Sequence, residues 1–251
     1  MNLFKEEIGN WQDWSNVSQS LFAFSALTNF IFQKENLPLA KLENLPPATN
    51  AVFKSGDFVI KIYVPREGGM DPATEIQTEL FSMQRANQLG IHSPKLIAHG
   101  FVEDKYRFVY MIMEYVHGTA FGEAVKSMAH IEKSEAAKQL CKLTNIMNTS
   151  CPRFNDIDIF ADEDRSERWS IYPDSFRSER LIYITSHDYG EKVYVHGDLN
   201  SNNVIITDDG KLCIIDFADA VLAPKVYEDA YIAAELFKFD SRSEEHTSEL
   251  Q

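Results

Sequence analysis

The sequence predicts an α+β protein built as a β-rich N-terminal lobe followed by an α-rich lobe. Three observations carry that expectation. A chain of 251 residues is long enough for one large domain or two lobes and for a sizeable core. Its 44% hydrophobic and 25% charged residues are ordinary globular composition, neither disordered nor fibrous. Strand patterns dominate residues 50–116, whereas helical spacing dominates Phe121 to Tyr189.

Taken in order, the N-terminus MNLFKEEIGNWQDW has two Glu and no apolar run after its Lys, so it does not read as a secretory signal. Leu21 to Phe32 is the most apolar stretch. It carries Ser25, Thr28 and Asn29 and falls short of the roughly 20 apolar residues a spanning helix needs, which predicts a buried helix. Its aromatics Phe22, Phe24, Phe30 and Phe32, with Trp11 and Trp14, are expected in the core. Ala51 to Val64 reads as two strands around the turn Ser55-Gly56-Asp57. Asp71 to Leu89 reads as a helix, with Asp71 as N-cap, Pro72 at the first helical position and Gly90 closing it. Pro94 to Ala98 and Phe101 to Val116 follow as three strands, the last two hinged at Glu103-Asp104-Lys105. Beyond Phe121, a charged stretch from Asp162 to Arg168 is expected to break the helical region. Val193 to Val195, Val204 to Ile206 and Leu212 to Ile215 then read as a strand, loop, strand, turn, strand unit.

Charge and cysteine usage narrow the setting. The formal charge of −14 repels a phosphate backbone and an anionic membrane surface, so neither nucleic acid nor membrane is an expected partner, while a cationic ligand is compatible. Cys141, Cys151 and Cys213 form no C-x-x-C pair and leave an odd thiol, which fits the reducing cytoplasm. His92, His99, His117, His130 and His187 have no metal-ligand spacing. The last ten residues, RSEEHTSELQ, match the translation of a sequencing-adapter oligonucleotide; the authentic gene is expected to diverge near Asp240 or Ser241 and encode a longer chain.

Chemistry is concentrated in the strand unit. His196 to Asn203 (HGDLNSNN) has the spacing H-G-D-x-x-x-x-N, and Asp216 follows the apolar run Leu212 to Ile215. Phosphoryl transfer needs such groups: a carboxylate within reach of an acceptor hydroxyl, and hard oxygen donors for the magnesium that bridges nucleotide phosphates. Upstream, Lys61 lies between apolar neighbours, where it needs an anion. Glu75 and Glu79, one turn apart on the next helix, are both candidates for that anion.

These motifs resemble the aminoglycoside phosphotransferase and choline kinase family, across roughly residues 40–230. The resemblance implies a bilobal protein-kinase-like fold, with residues 1–116 as the nucleotide-binding lobe. Residues 117–241 would form a helical catalytic lobe that is incomplete at its C-terminus, and 242–251 the non-native tail. ATP and Mg2+ would occupy the cleft, and the acceptor would be a hydroxyl of a small molecule. By the same resemblance Asp198 is the catalytic group that orients or deprotonates the acceptor, Asn203 and Asp216 are magnesium ligands, and His196 and Gly197 shape the loop. Lys61 would hold the phosphates. Glu79 is preferred over Glu75 as its partner, because the family's glutamate precedes a helix ending in Gly-Ile and then a proline, as Gly90-Ile91 and Pro94 do here. Met113 to Gly118 resembles the hinge, where backbone groups of Glu114 and Val116 would bind adenine.

Two departures qualify the resemblance. Leu45 to Ala51 (LPPATNA) lacks the glycine-rich spacing of protein kinases, so Thr49 and Asn50 become the polar candidates over the phosphates. Ala218 stands where the magnesium loop often has glycine, followed by Asp219. The rival reading is a catalytically silent nucleotide-binding regulatory module. A protein kinase is disfavoured by the H-G-D form and the missing glycine loop. An aminoglycoside acceptor suits the acidic chain; choline, homoserine, a sugar or a macrolide also fit.

Overall fold

A positive φ of 60° at Gly56 lets the chain reverse between β2 (Ala51–Ser55) and β3 (Phe58–Ile62), which pair antiparallel as the expected hairpin. In the computed structural model, which describes residues 2–160 and 169–237, β2 and β3 lie inside a five-stranded antiparallel sheet. Its order is β1-β2-β3-β5-β4, with β1 (Leu42–Asn44), β4 (Leu96–Glu103) and β5 (Arg107–Glu114). The expected break at 162–168 and the terminal ten residues lie outside the described residues.

Where three strands were expected between Pro94 and Val116 there are two. Gly100 does not end a strand but sits within β4 opposite Tyr110, where a Cβ would stand 2.9 Å from the tyrosine hydroxyl. The irregularity falls instead between Leu96 and Ala98, where the register with β5 shifts.

Helices α1 (Trp11–Val17) and α2 (Leu21–Lys34) cover this sheet. Asn10 and Ser20 cap them by accepting from the backbone N–H of Asp13 and Ala23. Phe24, Leu27, Ile31 and Phe32 of α2 share one buried cluster with Phe53, Ile60, Phe108 and Ile112 of the sheet. Phe24 is central, its ring 5.1 Å from Phe4, 5.3 Å from Phe53 and 5.9 Å from Trp14. Phe22 and Trp11 are corrections to the expected core: they are 86% and 47% exposed, because α2 and α1 each turn one face outward.

Helix α3 (Pro72–Gln88) begins as anticipated, Asp71 Oδ1 accepting from the Ala73 N–H, and Gly90 follows it at φ 69°. The chain divides into two compact units, residues 1–76 with 93–117 and residues 77–92 with 118 onward. Side-chain contacts explain why the end of α3 belongs to the second. Thr78 accepts from the Asn155 amide at 3.0 Å, Phe81 stacks on Phe154 at 4.5 Å, and Arg85 donates to Thr149 Oγ1 at 2.7 Å.

The second unit contains β6 (Gly118–Ala120), α4 (Phe121–Ala124), α5 (His130–Met147) and α6 (Asp174–Ser186). It continues with β7 (Lys192–Val195), β8 (Val204–Thr207), β9 (Leu212–Ile214), β10 (Val221–Pro224) and α7 (Lys225–Glu235). The strands form a β6-β8-β9 sheet and a β7-β10 pair, all antiparallel. Gly118 is required at the sheet edge, since a Cβ there would stand 2.3 Å from the Ile206 carbonyl oxygen. None of Cys141, Cys151 and Cys213 is in a disulfide. Among the described residues no helix is long and apolar enough to cross a membrane.

Replacing Phe24 by Ala is expected to cost about 3–5 kcal/mol, as for other buried aromatics. Phe22→Ala at the exposed face should change stability by less than about 0.5 kcal/mol. Urea unfolding of both variants checks this; equal costs would contradict the assigned faces of α2.

Candidate active site

The residues from His196 to Asn203 join β7 to β8, and this short path demands an unusual backbone. Gly197 has φ 82°, and a Cβ on it would lie 2.2 Å from the Asp219 carbonyl oxygen, so no other residue fits without displacing the 217–220 loop. Loop and neighbour are tied again by the ring of His196, which is fully buried. Its Nε2 donates to the Ile215 carbonyl at 3.0 Å, which assigns the hydrogen to Nε2 and leaves Nδ1 to accept from the Asp198 N–H at 3.3 Å. Burial pushes this imidazole below its ordinary value, partly offset by the nearby Asp216. His196 is therefore a neutral strut.

Asp198 is held by three side chains. Asn200 and Asn203 donate their amides to Oδ2 at 3.0 and 2.9 Å, and the Tyr231 hydroxyl donates to Oδ1 at 2.6 Å. The Asn203 amide also reaches the Asp198 carbonyl at 2.9 Å, so with Nδ2 turned toward Asp198 its Oδ1 is the atom left for a cation. The Ile215 N–H donates to the Asn203 carbonyl at 3.0 Å, which places Asp216 directly after a bond to the same loop. Asp216 itself has φ 58°, a left-handed conformation that short polar side chains tolerate and β-branched ones do not. Among the described residues no three His, Cys, Asp or Glu side chains gather into a metal cage. An Asn and an Asp nonetheless suit Mg2+, which takes one or two protein oxygens and completes its shell with phosphates and water.

Glu228, on α7, is the functional residue that local sequence reading misses. It is 1% exposed, and its Oε2 accepts from the His196 N–H at 2.5 Å and from the Asn148 amide at 3.4 Å. A hydrogen bond from the Gly197 N–H reaches the same carboxyl. Burial pushes the Glu228 carboxyl up to about 7, against the lowering effect of these donors. Its Oε1 has no hydrogen-bond partner and is the natural seat of the proton. No local pattern marks it, because a glutamate on a helix ordinarily faces water.

The first unit carries the other predicted residues. Lys61 on β3 is 5% exposed and lies 3.8 Å from the Glu75 carboxylate. Glu75 also accepts from the Asn50 amide, whose Oδ1 in turn accepts from the Val64 N–H at 3.0 Å. Asn50, 2% exposed, thus spends its side chain on the framework that places Glu75. Glu79, 1% exposed, lies one helical turn further along, in the part of α3 that belongs to the second unit. The Thr49 carbonyl accepts from the Trp14 indole at 2.8 Å. At the end of β5 the Glu114 N–H is taken by the Lys95 carbonyl at 2.9 Å, so any backbone contact from Glu114 to a base falls to its carbonyl. Val116 follows Tyr115, whose N–H donates to the Asp57 carbonyl at 2.8 Å.

An antiparallel sheet preceding a helical unit is the architecture of the protein-kinase-like fold. Residues 48–247 match the model of the phosphotransferase enzyme family, and the chain belongs to that family. No curated relative matches the sequence. Among solved structures it is similar to APH(2″)-IIia in complex with GDP and kanamycin. That match has 18% identity and a TM-score of 0.66, covering 90% of this chain and 83% of the other. It is also similar to spectinomycin phosphotransferase APH(9)-Ia in complex with ADP and spectinomycin, with 18% identity, a TM-score of 0.60 and coverage of 90% and 78%. A third likeness is choline kinase LicA from Streptococcus pneumoniae, with 15% identity, a TM-score of 0.61 and coverage of 88% and 79%.

The folded chain keeps the Glu228 proton up to about pH 7, whereas the unfolded chain releases it near 4.5. The folded state then binds more protons across that window, and the contribution of this group to stability declines as pH rises from about 4.5 to about 7. Glu228→Gln should flatten that decline in urea midpoints compared at pH 5 and 7.5. Glu228→Ala strands the His196 and Gly197 N–H groups and the Asn148 amide and should cost about 2–3 kcal/mol in the same measurement.

Proposed function

We propose that this protein transfers the γ-phosphoryl group of ATP, with Mg2+, to a hydroxyl of a small molecule. The observation that carries the reading is the loop from His196 to Asn203, in which three neutral donors hold the Asp198 carboxylate and an Asn oxygen is left for a cation. Family membership supports phosphotransfer, and the names of the similar structures, which include GDP, ADP, kanamycin, spectinomycin and choline kinase, support a nucleotide donor and a small polar acceptor.

In this mechanism Asp198 accepts the hydrogen bond and then the proton of the attacking hydroxyl. Asn203 and Asp216 present hard oxygens to the metal, which when bound neutralises charge on the nucleotide phosphates. Lys61, 3.8 Å from Glu75, supplies positive charge to the phosphates, and Glu79 is the second carboxylate on the same helix. The Glu114 carbonyl and the Val116 N–H bind the base. Thr49 supplies a polar contact near the phosphates, whereas Asn50 acts through Glu75. Within the acceptor class, an aminoglycoside-type polycation is favoured by the net charge of −14. The free thiols and acidic charge suit the cytoplasm.

A silent nucleotide-binding module is the second reading, favoured by the glycine-poor segment Leu45 to Ala51 and by the inward commitment of the Asn50 side chain. Release of ADP over a panel of aminoglycosides, choline, homoserine and sugars separates the two. Turnover on one acceptor is expected, and both Asp198→Ala and Asp216→Ala should lower it by about 10²-fold or more. A magnesium-dependent thermal shift with ATP but no turnover on any acceptor would favour the silent module. Wild-type rates in Asp216→Ala would remove the metal assignment.

A further inference from the structure

We infer that Tyr231 is a specificity-determining residue that reserves Asp198 for an alcohol acceptor and withholds it from water. The inference rests on the phosphotransferase reading. Of the two oxygens of the Asp198 carboxylate, Oδ2 is occupied by the amides of Asn200 and Asn203 at 3.0 and 2.9 Å. Oδ1 receives the Tyr231 hydroxyl at 2.6 Å, within the range of a charge-assisted O–H···O⁻ bond. A phosphoryl acceptor must do what this phenol does, which is to bring an O–H group onto Oδ1, the oxygen that the amides leave open. Tyr231 therefore holds the acceptor's place.

Its reach is set by a rigid support. Tyr231 lies three residues after Glu228 on α7, so the two side chains share one face of the helix. The Glu228 carboxylate binds the His196 backbone while the Tyr231 hydroxyl binds Asp198, tying helix and loop at two adjacent points. Burial, together with the neighbouring charge of Asp198, raises the phenol above its ordinary range, so at neutral pH it is a donor. A single water offers no contacts beyond its own hydrogen bonds to compensate for displacing a 2.6 Å bond. A larger acceptor brings contacts elsewhere and can displace the phenol, so binding energy is used for discrimination.

The side reaction thereby suppressed is nucleotide hydrolysis. In it a water oxygen bonds to the γ-phosphorus and the bond from that phosphorus to the β,γ-bridging oxygen breaks. ADP leaves with the bridging oxygen, and the water proton passes to Asp198 and then to phosphate or solvent.

The test uses the full chain with Mg2+ and ATP and needs no acceptor. Calorimetry measures nucleotide binding, and phosphate release measures hydrolysis, for wild type, Tyr231→Phe, Asp198→Ala and the double variant. Tyr231→Phe is expected to bind ATP within about twofold of wild type and to release phosphate about fivefold faster or more, the effect of losing one hydrogen bond to a charged group. The double variant should fall to the rate of Asp198→Ala. Loss of packing alone does not raise a rate, so the gain separates positioning from a structural role. ATP binding with unchanged or slower phosphate release in Tyr231→Phe overturns the inference, as does a gain that survives in the double variant. If Tyr231→Phe does not fold, Tyr231→Leu, which also lacks the hydroxyl, decides by the same criteria. Absence of ATP binding in wild type overturns the phosphotransferase reading and this one with it, an outcome distinct from binding without the gain.

Discussion

A single buried carboxyl group, that of Glu228, organises the loop from His196 to Asn203. Glu228 reaches from α7 to the backbone N–H groups of His196 and Gly197, which have entered a region closed to water and must find acceptors there. The close approach of Gly197 to the Asp219 carbonyl draws the 217–220 loop against the same turn, and the His196 ring bonds Ile215 at one nitrogen and the Asp198 N–H at the other. Asp198 and Asp216, eighteen residues apart in the chain, are thus referred to one set of buried bonds. The cost is a carboxyl pushed up to about 7 by its own burial. That cost persists because removal of the group would leave its donors without partners.

The first unit solves a similar problem with opposite charge. Lys61 pairs with Val52 in the interior of the sheet, where a lone ammonium is expensive. Glu75 compensates it, Asn50 orients Glu75, and the Val64 N–H orients Asn50. Sheet and helix therefore meet through a polar chain embedded beside an aromatic core. Helices α1 and α2 supply that core from the other face, which is why Phe24 and Trp14 are buried while Phe22 and Trp11 are not.

Tyr231 gives α7 a second duty. One residue on this helix holds the loop backbone and another, three positions on, touches the carboxylate that the loop presents. On the proposed reading, selectivity between alcohol and water is set at Asp198 Oδ1 by the Tyr231 hydroxyl, whereas the Asn203 amide bonds the other oxygen, Oδ2.

The β-rich region ahead of a helical one, the Gly56 hairpin, the capped start of α3 and the spacing from His196 to Asn203 were legible in the sequence. These are local properties: turn chemistry, capping and periodicity act within a few residues of where they are written. The sequence also marked Lys61 as needing an anion and offered Glu75 and Glu79. The 3.8 Å contact between Lys61 and Glu75 was set by how β3 and the start of α3 are placed, which local pattern does not record. Residues 94–98 and 101 onward read as separate strands, yet pairing with β5 runs through Gly100, opposite Tyr110, and makes them one. The roles of Glu228 and Tyr231 depended wholly on tertiary structure, because each is defined by a bond to a loop about 30 residues away and neither differs locally from an ordinary helix residue. Sequence pattern records which groups a segment can offer; burial and long-range bonding decide which of them are used.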